Sequence, residues 1–266
     1  MRDTFRLYFE IIKLKISTQG QYPLNAVIGF LNQIFVFVFE FWAMWALFNR
    51  FGSIDNWDFI EVLIPFGIIN LSYAIAETFF RGFETNMSQL VRDGEYDRYL
   101  LRPRDTIVQI SAFHFQFVRF GRVLQAVIVL IIGLVLNHDK IQGIEWLLIL
   151  FAATGGWALF IALYILTGII IFKIVERPEF MNLLIQGSVT TMQYPKTIFP
   201  KWIQSVFTFI IPVTFATYYP VAAILGKDSS LPFILSCLSP IICYLFLILT
   251  IILFKKVEKT YISTGS

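Results

Sequence analysis

Apolar residues in this chain come in long blocks separated by short polar stretches. Crossing the hydrocarbon core of a bilayer takes about 20 mostly apolar residues in a helix. Leu24 to Phe48 is one such block, closed by the polar stretch Asn49 to Asp55, and Trp57 to Phe80 is the second. A charged segment, Arg81 to Asp105, separates it from a third block that runs to Leu136 and is clean only after Arg122. Ile144 to Phe172 is the fourth, and Leu231 to Phe254 is the last, closed by Lys255 and Lys256. Phe180 to Tyr194 is less apolar and is expected as one polar-lined span or as two half-length helices. A Pro-punctuated aromatic region, Pro195 to Gly226, follows it. The pattern predicts an all-α membrane protein with six transmembrane helices, forming a single transmembrane domain over residues 1–266. The first block is long and follows no small-residue cleavage site, so it reads as a retained span and not as a cleaved signal.

The opening segment, Met1 to Ser17, has a different pattern. Phe5, Leu7, Tyr8, Ile11, Ile12 and Leu14 recur at three- and four-residue spacing among Arg6, Glu10, Lys13 and Lys15. That spacing predicts an amphipathic helix lying in the membrane interface over residues 1–19. Composition agrees with a bilayer setting. Hydrophobic residues make up 57% of the chain and charged ones 15%, with 29 Phe, where a soluble domain carries roughly 25% charged residues. The net charge of +3 is too small to argue for nucleic acid, but its placement is informative. With the N-terminus inside, all of the 21 Lys and Arg except Arg50, Lys140, Lys196, Lys201 and Lys227 fall on one side. The positive-inside rule then puts both termini and the Arg81 to Asp105 segment in the cytoplasm. Pro195 to Gly226 falls at the outer face.

The cytoplasmic segment FETNMSQLVRDGEYDRYLLRPRD carries the most local signal. Asn86 or Ser88 can cap a short helix on which Met87, Leu90 and Val91 share a face. Gly94 can end that helix in a left-handed conformation. Tyr96, Tyr99 and Leu100 offer a second small apolar face, Pro103 forces Arg102 out of helix, and Asp105 is placed to cap the next helix. A mixed-charge, partly apolar helix between two spans suits a docking element for a cytoplasmic protein; a merely solvated loop is the alternative.

The segment GEYDRYLLRP resembles the G-x-[LIY]-D-x-[YL]-L-L-R-P motif found after the second span in permeases of the type-2 ABC transporter superfamily. Gly94, Asp97, Leu100, Leu101, Arg102 and Pro103 match it, and the likeness is greatest to the drug- and viologen-exporter-like branch. TIFPKWIQSVFTFIIPVTFATYYPVAAILG is similar to the superfamily's outer region through Pro200, Trp202, Pro212, Tyr219, Pro220 and Gly226. The ending YISTGS resembles the family's Y-x-S-x-G through Tyr261, Ser263 and Gly265. The resemblance implies an exporter permease with an N-terminal interfacial helix, a cytoplasmic coupling helix over residues 86–104 and outer re-entrant helices over 195–226. Carried onto this chain, it assigns ATPase coupling to Asn86, Leu90, Val91, Asp93, Gly94, Tyr96, Asp97, Leu100, Leu101, Arg102 and Pro103. It also implies two copies of a cytoplasmic ABC ATPase as partners, and a second permease, identical or homologous. The expected setting is membrane lipid in a bacterial plasma membrane.

The chain itself has no Gly-rich loop ending in Lys-Ser or Lys-Thr, so ATP and Mg are expected on the partner ATPase and no cofactor on this chain. His114 and His138 stand alone and read as interfacial polar residues. Cys237 and Cys243, six apart in one apolar block, read as ordinary buried residues. No Ser/His/Asp set suggests an enzyme. Ionisable residues inside apolar blocks usually face a cavity or a partner. Glu77 lies one turn from Arg81 and is expected to pair with it. Arg119 and Arg122 are expected to snorkel to headgroups. Glu40, deep in FVFEFW, is either a satisfied structural carboxyl or part of a substrate path with Gln186, Thr190 and Gln193 on the weak fifth block. Two rival functions stand against the exporter. An ion-coupled secondary transporter would carry several deep charges and internal repeats, and a non-transporting scaffold would have no ATPase beside it.

Overall fold

In a computed structural model, residues 2–20, 23–227 and 231–263 are described. Helix α1 (Arg2–Gly20) precedes α2 (Pro23–Phe51). Pro23 opens α2 at a position where a helix has no use for an N–H. The polar stretch after α2 folds as a hairpin, β1 (Ser53–Ile54) against β2 (Trp57–Asp58), with Ser53 opposite Asp58 and Ile54 opposite Trp57. Asp55 and Asn56 at its tip have φ of 52° and 61°, the backbone of a tight primed turn that short polar residues tolerate. Helix α3 (Phe59–Phe80) follows, then four short helices: α4 (Gly82–Thr85), α5 (Met87–Arg92), α6 (Asp97–Leu100) and α7 (Thr106–Phe113). A 3-10 turn, Phe117–Arg119, leads into α8 (Phe120–Leu136), and α9 (Glu145–Ile174) and α10 (Glu179–Met192) come next. Then α11 (Lys201–Ser205) runs on as a π-helical turn, Val206–Ile210, before α12 (Val213–Ala216) and α13 (Tyr218–Ile224). Finally α14 (Phe233–Leu238) leads into α15 (Ile241–Glu258).

Among the described residues, five segments are long and apolar enough to cross a membrane: Val27–Phe51, Phe59–Phe80, Phe117–Leu136, Glu145–Ile174 and Phe233–Glu258. In lipid a helix satisfies every backbone polar group within itself, which is why such sequences settle into helices. The weak block becomes one helix, α10, of 14 residues, about 21 Å long at 1.5 Å per residue. Its flanking turns extend its reach. Arg177, just before it, bonds Glu84 beside α5, and Pro195, just after it, lines a crevice with Trp57 and Tyr218 near the β-hairpin. The chain thus passes from one end of the bundle to the other a sixth time.

The Pro-rich region does not cross. Its two halves, Lys201–Ile210 and Val213–Ile224, meet at a 72° bend. Lys196, before it, lies 4.4 Å from the Tyr218 ring centre, and Lys227, after it, bonds Glu61 at 2.7 Å. Entry and exit are therefore both at the β-hairpin end, which is the geometry of a re-entrant pair. Pro212 sits at the bend, buried, while Tyr219 and Pro220 are buried on the returning arm and Pro200 and Trp202 stay exposed.

The bundle packs around α3, which is buried along most of its length against α8 and α9. Small residues let these helices approach closely, as they do where lipid supplies no hydrophobic drive for helix association. A Cβ on Gly67 would lie 2.7 Å from the Leu130 Cα, and one on Gly133 would lie 2.9 Å from the Leu63 Cβ. The nearest atom to Gly67 is backbone, which cannot swing aside. Gly67→Val is expected to cost about 1–3 kcal/mol by overpacking, measured as a lower unfolding temperature of the detergent-solubilised chain. Cys237 and Cys243 are free and buried.

Candidate functional site

Charge is costly inside a bilayer, so the partners of the charged side chains on α2, α3 and α8 decide what the bundle interior can do. Arg122 of α8 donates from Nη2 to Glu40 Oε2 on α2 at 2.7 Å and to Asn70 Oδ1 on α3 at 2.9 Å. Its guanidinium lies 4.9 Å from the centre of the Tyr73 ring. Gln193, at the end of α10, donates to the same Glu40 oxygen at 2.9 Å. Tyr73 donates to Glu77 Oε1 at 2.9 Å and accepts from Gln186 at 2.7 Å. Glu77 holds Arg81 one turn along its own helix, and Arg119 at 3.3 Å. A polar ladder thus runs through the interior from Glu40 to Arg81, built by α2, α3, α8, α10 and the turn before α8.

The Glu77–Arg81 pair stands where the sequence put it. Arg119 and Arg122 do not snorkel. Arg122 is only 5% exposed, and both arginines turn inward because a carboxylate is in reach there, on a helix that local sequence does not reveal. Glu40 keeps 27% of its side chain exposed, so the pair is open on one side. Among the four residues assigned to a substrate path, the structure joins Glu40, Gln193 and, through Tyr73, Gln186. Thr190 lies exposed one turn from Gln186, its hydroxyl donating to the Gln186 carbonyl at 3.1 Å. Asn70 and Tyr73 were missed, because polar groups in an otherwise apolar span carry no local mark of their partners.

At the other end of α3, the short helices form a platform. Asp105 caps α7 as its position suggests, accepting from Ile107 N at 2.9 Å. Gly94 takes a φ of +68° and ends the α5 turn. Asn86 makes no side-chain cap to α5. Its Oδ1 accepts from Thr85, and Ser88 donates at 2.6 Å to the carbonyl of Val175, just past α9. Met87, Leu90 and Val91 do share a face, but that face is buried in the chain's own core beside α9. Tyr96 is also fully buried, its ring edge-on to Phe172 at 5.0 Å. Leu90, Val91 and Tyr96 are therefore not surface residues here. Apolar side chains with a buried slot within reach leave water for it, and the residues left outside are Asp93, Leu100, Leu101, Arg102 and Pro103, with Gly94, Asp97 and Asn86 partly covered. Leu101 is 85% exposed. Arg102 is braced over the Phe113 ring, 4.9 Å from its centre.

The platform is tied to the ends of two spans. Tyr96 donates to Glu258 Oε1 at the end of α15, as does Thr106. Burial and the Glu258 carboxylate push the Tyr96 phenol far above its ordinary range, so it stays a donor. Lys255 pairs with Asp105 at 2.9 Å, and Arg177 after α9 pairs with Glu84. Glu258 and Thr106 were not legible as linkers, since 152 residues separate them.

Beside the platform, burial holds the His114 imidazole neutral, with a pKa of about 4, and the nearby Lys15 charge acts in the same direction. Its Nε2 is buried without a hydrogen-bond partner. An unfolded histidine titrates near 6.5, so between pH 6.5 and 4 the unfolded chain binds the extra proton and the folded one does not. Stability from this group is complete above pH 6.5 and declines as pH falls toward 4, by about 3 kcal/mol. His114→Phe is expected to flatten that decline in unfolding temperature measured from pH 7 to pH 4.5.

The family model described as "ABC-2 family transporter protein" matches residues 15–265. The chain belongs to this family. It is a multi-pass membrane protein and a transport permease of the ABC transporter class, a transmembrane component that is not itself catalytic. ABC-2 permeases generally work with an ATPase subunit. No curated protein and no solved structure gives a significant match. The ABC-2 match includes both the polar ladder and the platform.

Proposed function

We propose that this ABC-2 permease is the membrane half of an ATP-driven exporter, and that its platform receives a separate cytoplasmic ATPase. One observation carries the reading. The exposed Leu100, Leu101 and Arg102 stand at and just past the end of α6, in a segment tied through Ser88 and Tyr96 to the ends of α9 and α15. A protein that pushed on them would move two spans at once. The platform end is also the Lys- and Arg-rich side, which supports a cytoplasmic placement for it and for both termini. ATP and Mg would be bound by the ATPase, two copies of which serve a pair of permeases.

The second permease, identical or homologous, would meet the side where α2 and α10 are open. Phe35, Phe39 and Trp42 on α2 and Leu183 on α10 are exposed, and Glu40, Gln186 and Thr190 lie on the same two helices. This side would line the substrate path between two permeases, with the closing ATPase pair switching access to it. The re-entrant pair, residues 195–226, would close the path at the outer face. The ion-coupled alternative fares worse, because Glu40 and Glu77 are both paired with arginine and so are poorly placed to carry protons.

The test is reconstitution of the chain with the ABC ATPase encoded nearest to it. Export reading and partner are supported if amphipathic compounds stimulate ATP hydrolysis by the complex above that of the ATPase alone. An ATPase rate indifferent to the permease would overturn them. Glu40→Gln then separates path from scaffold: reduced transport with normal assembly supports a path role, and unchanged transport removes Glu40 from it.

A further inference from the structure

A cavity of about 670 Å³ lies between α1 and the bundle, away from the polar ladder. Ile12 and Ile16 of α1 form one wall, Phe79 of α3 and Phe115 another, and Phe120 and the partly exposed Trp157 complete the lining. Almost all of its surface is apolar. The hydroxyl of Ser111 is the main polar group facing it, and Ser111 is bonded to Tyr8 and to the Val108 carbonyl. Its size falls in the range of small-molecule sites, roughly 300–1,000 Å³.

The cavity's position limits what can fill it. One wall is an amphipathic helix of the interface, and the deepest residue, Trp157, lies near the midpoint of the 30-residue α9. That is about 26 Å from the platform end of α9 at 1.5 Å per residue. A cavity with these walls runs from the headgroup level to the middle of the bilayer. It opens onto a surface where Phe9, Phe117 and Phe120 are exposed, which is surface for acyl chains and not for water. An apolar space of even 150 Å³ stays free of water and takes up hydrocarbon instead.

Two cations flank the lining residues of α1. Lys13 and Lys15 lie on α1 among the lining residues and make no ion pair with the described carboxylates. Lys15 is close enough to His114 for its charge to act there. Two other described ionisable groups nearby are occupied. Arg119 is held by Glu77 and Gln116, and Glu10 has a partner of its own. Two ammonium groups with no carboxylate partner among the described residues would attract anionic lipid by about 1 kcal/mol each near the surface.

We propose that this cavity is a site for one anionic membrane phospholipid, its acyl chain lying between α1 and the bundle as far as Trp157 and its headgroup held by Lys13 and Lys15. The site wedges the interfacial helix against α7, whose N-terminal cap Asp105 is bound to Lys255 of α15. Loading it would therefore stiffen the platform. The assignment stands apart from the transport reading, because its readout is lipid binding alone.

The experiment uses the full chain in nanodiscs with Trp157 as the only tryptophan, the others replaced by Phe. Phospholipids brominated on the acyl chain quench a tryptophan they touch. Brominated phosphatidylglycerol should half-quench Trp157 at a several-fold lower mole fraction than brominated phosphatidylcholine. Lys13→Gln with Lys15→Gln should abolish that preference. Both lysines lie on an exposed or half-exposed helix face, so the double variant is expected to fold, and circular dichroism checks it. A second chain keeping only Trp146, exposed at the hairpin end of α9, should show no preference. The proposal is overturned if the two lipids quench Trp157 alike. It is equally overturned if the preference survives loss of both lysines, if Trp146 shows the same preference, or if Trp157 is not quenched at all.

Discussion

Arg122→Met is expected to leave little folded protein in the membrane, with a loss of about 3–5 kcal/mol. The substitution conserves volume but strands Glu40, a carboxylate 27% exposed whose strongest partner is the lost guanidinium. It also removes a donor from Asn70 and a cation from the Tyr73 face. Glu40→Leu alone is expected to be nearly as damaging, because it strands Arg122, a cation only 5% exposed. The two together should recover most of the loss, since a buried ion pair replaced by apolar side chains of similar volume is often neutral or better. Unfolding temperature and detergent-extracted yield of the four proteins give the coupling directly. Transport should stay low in the double variant even where the fold recovers, because the path would then lack its deep carboxylate. Losses from the two single substitutions that simply add in the double variant would show that Glu40 and Arg122 do not depend on each other.

Leu101→Asp is expected to do the opposite, leaving the fold intact while removing the partner. Leu101 is 85% exposed, and substitutions at such positions usually change stability by less than about 0.5 kcal/mol. An apolar anchor at the centre of an interface is worth about 2 kcal/mol or more, so ATPase affinity should fall by roughly 30-fold. Arg102→Glu should act in the same direction, since Arg102 is pre-positioned by the Phe113 ring. Val91→Ala, by contrast, should lower stability first, because Val91 is 2% exposed in the chain's own core. Titration of the ATPase against each variant, with unfolding temperature alongside, separates the two kinds of residue.

What the sequence revealed divides along chain distance. The spans were legible because lipid demands about 20 apolar residues at a stretch, whatever the neighbours. The Asp105 cap, the Gly94 turn and the Glu77–Arg81 pair were legible because their partners lie within a few residues. The re-entrant pair was legible only through resemblance, from Pro200, Pro212 and Pro220. The hairpin tip at Asp55 and Asn56 carried a turn signal that the polar stretch concealed. Arg122 was misplaced because its partner Glu40 is 82 residues away, and nothing near Arg122 announces a carboxylate. The platform's inward face was misjudged for the same reason. A short amphipathic helix shows that Met87, Leu90 and Val91 face together, but not whether α9 or a partner covers them. The Ser263 side of the tail is described, whereas Gly265 lies outside the described residues.

The proposed seat of the ATPase is the platform at residues 86–104. A photo-crosslinking amino acid in place of Leu101 tests it most directly, with the same group in place of Trp146 at the opposite end as the comparison. Cells expressing each protein would be irradiated and the adducts identified by mass spectrometry. An adduct is expected at position 101 with a protein that carries a phosphate-binding loop ending in Lys-Ser or Lys-Thr, and none at position 146. An ATPase adduct at position 146 and not at 101, or no ATPase adduct at either position in a correctly inserted chain, would contradict it.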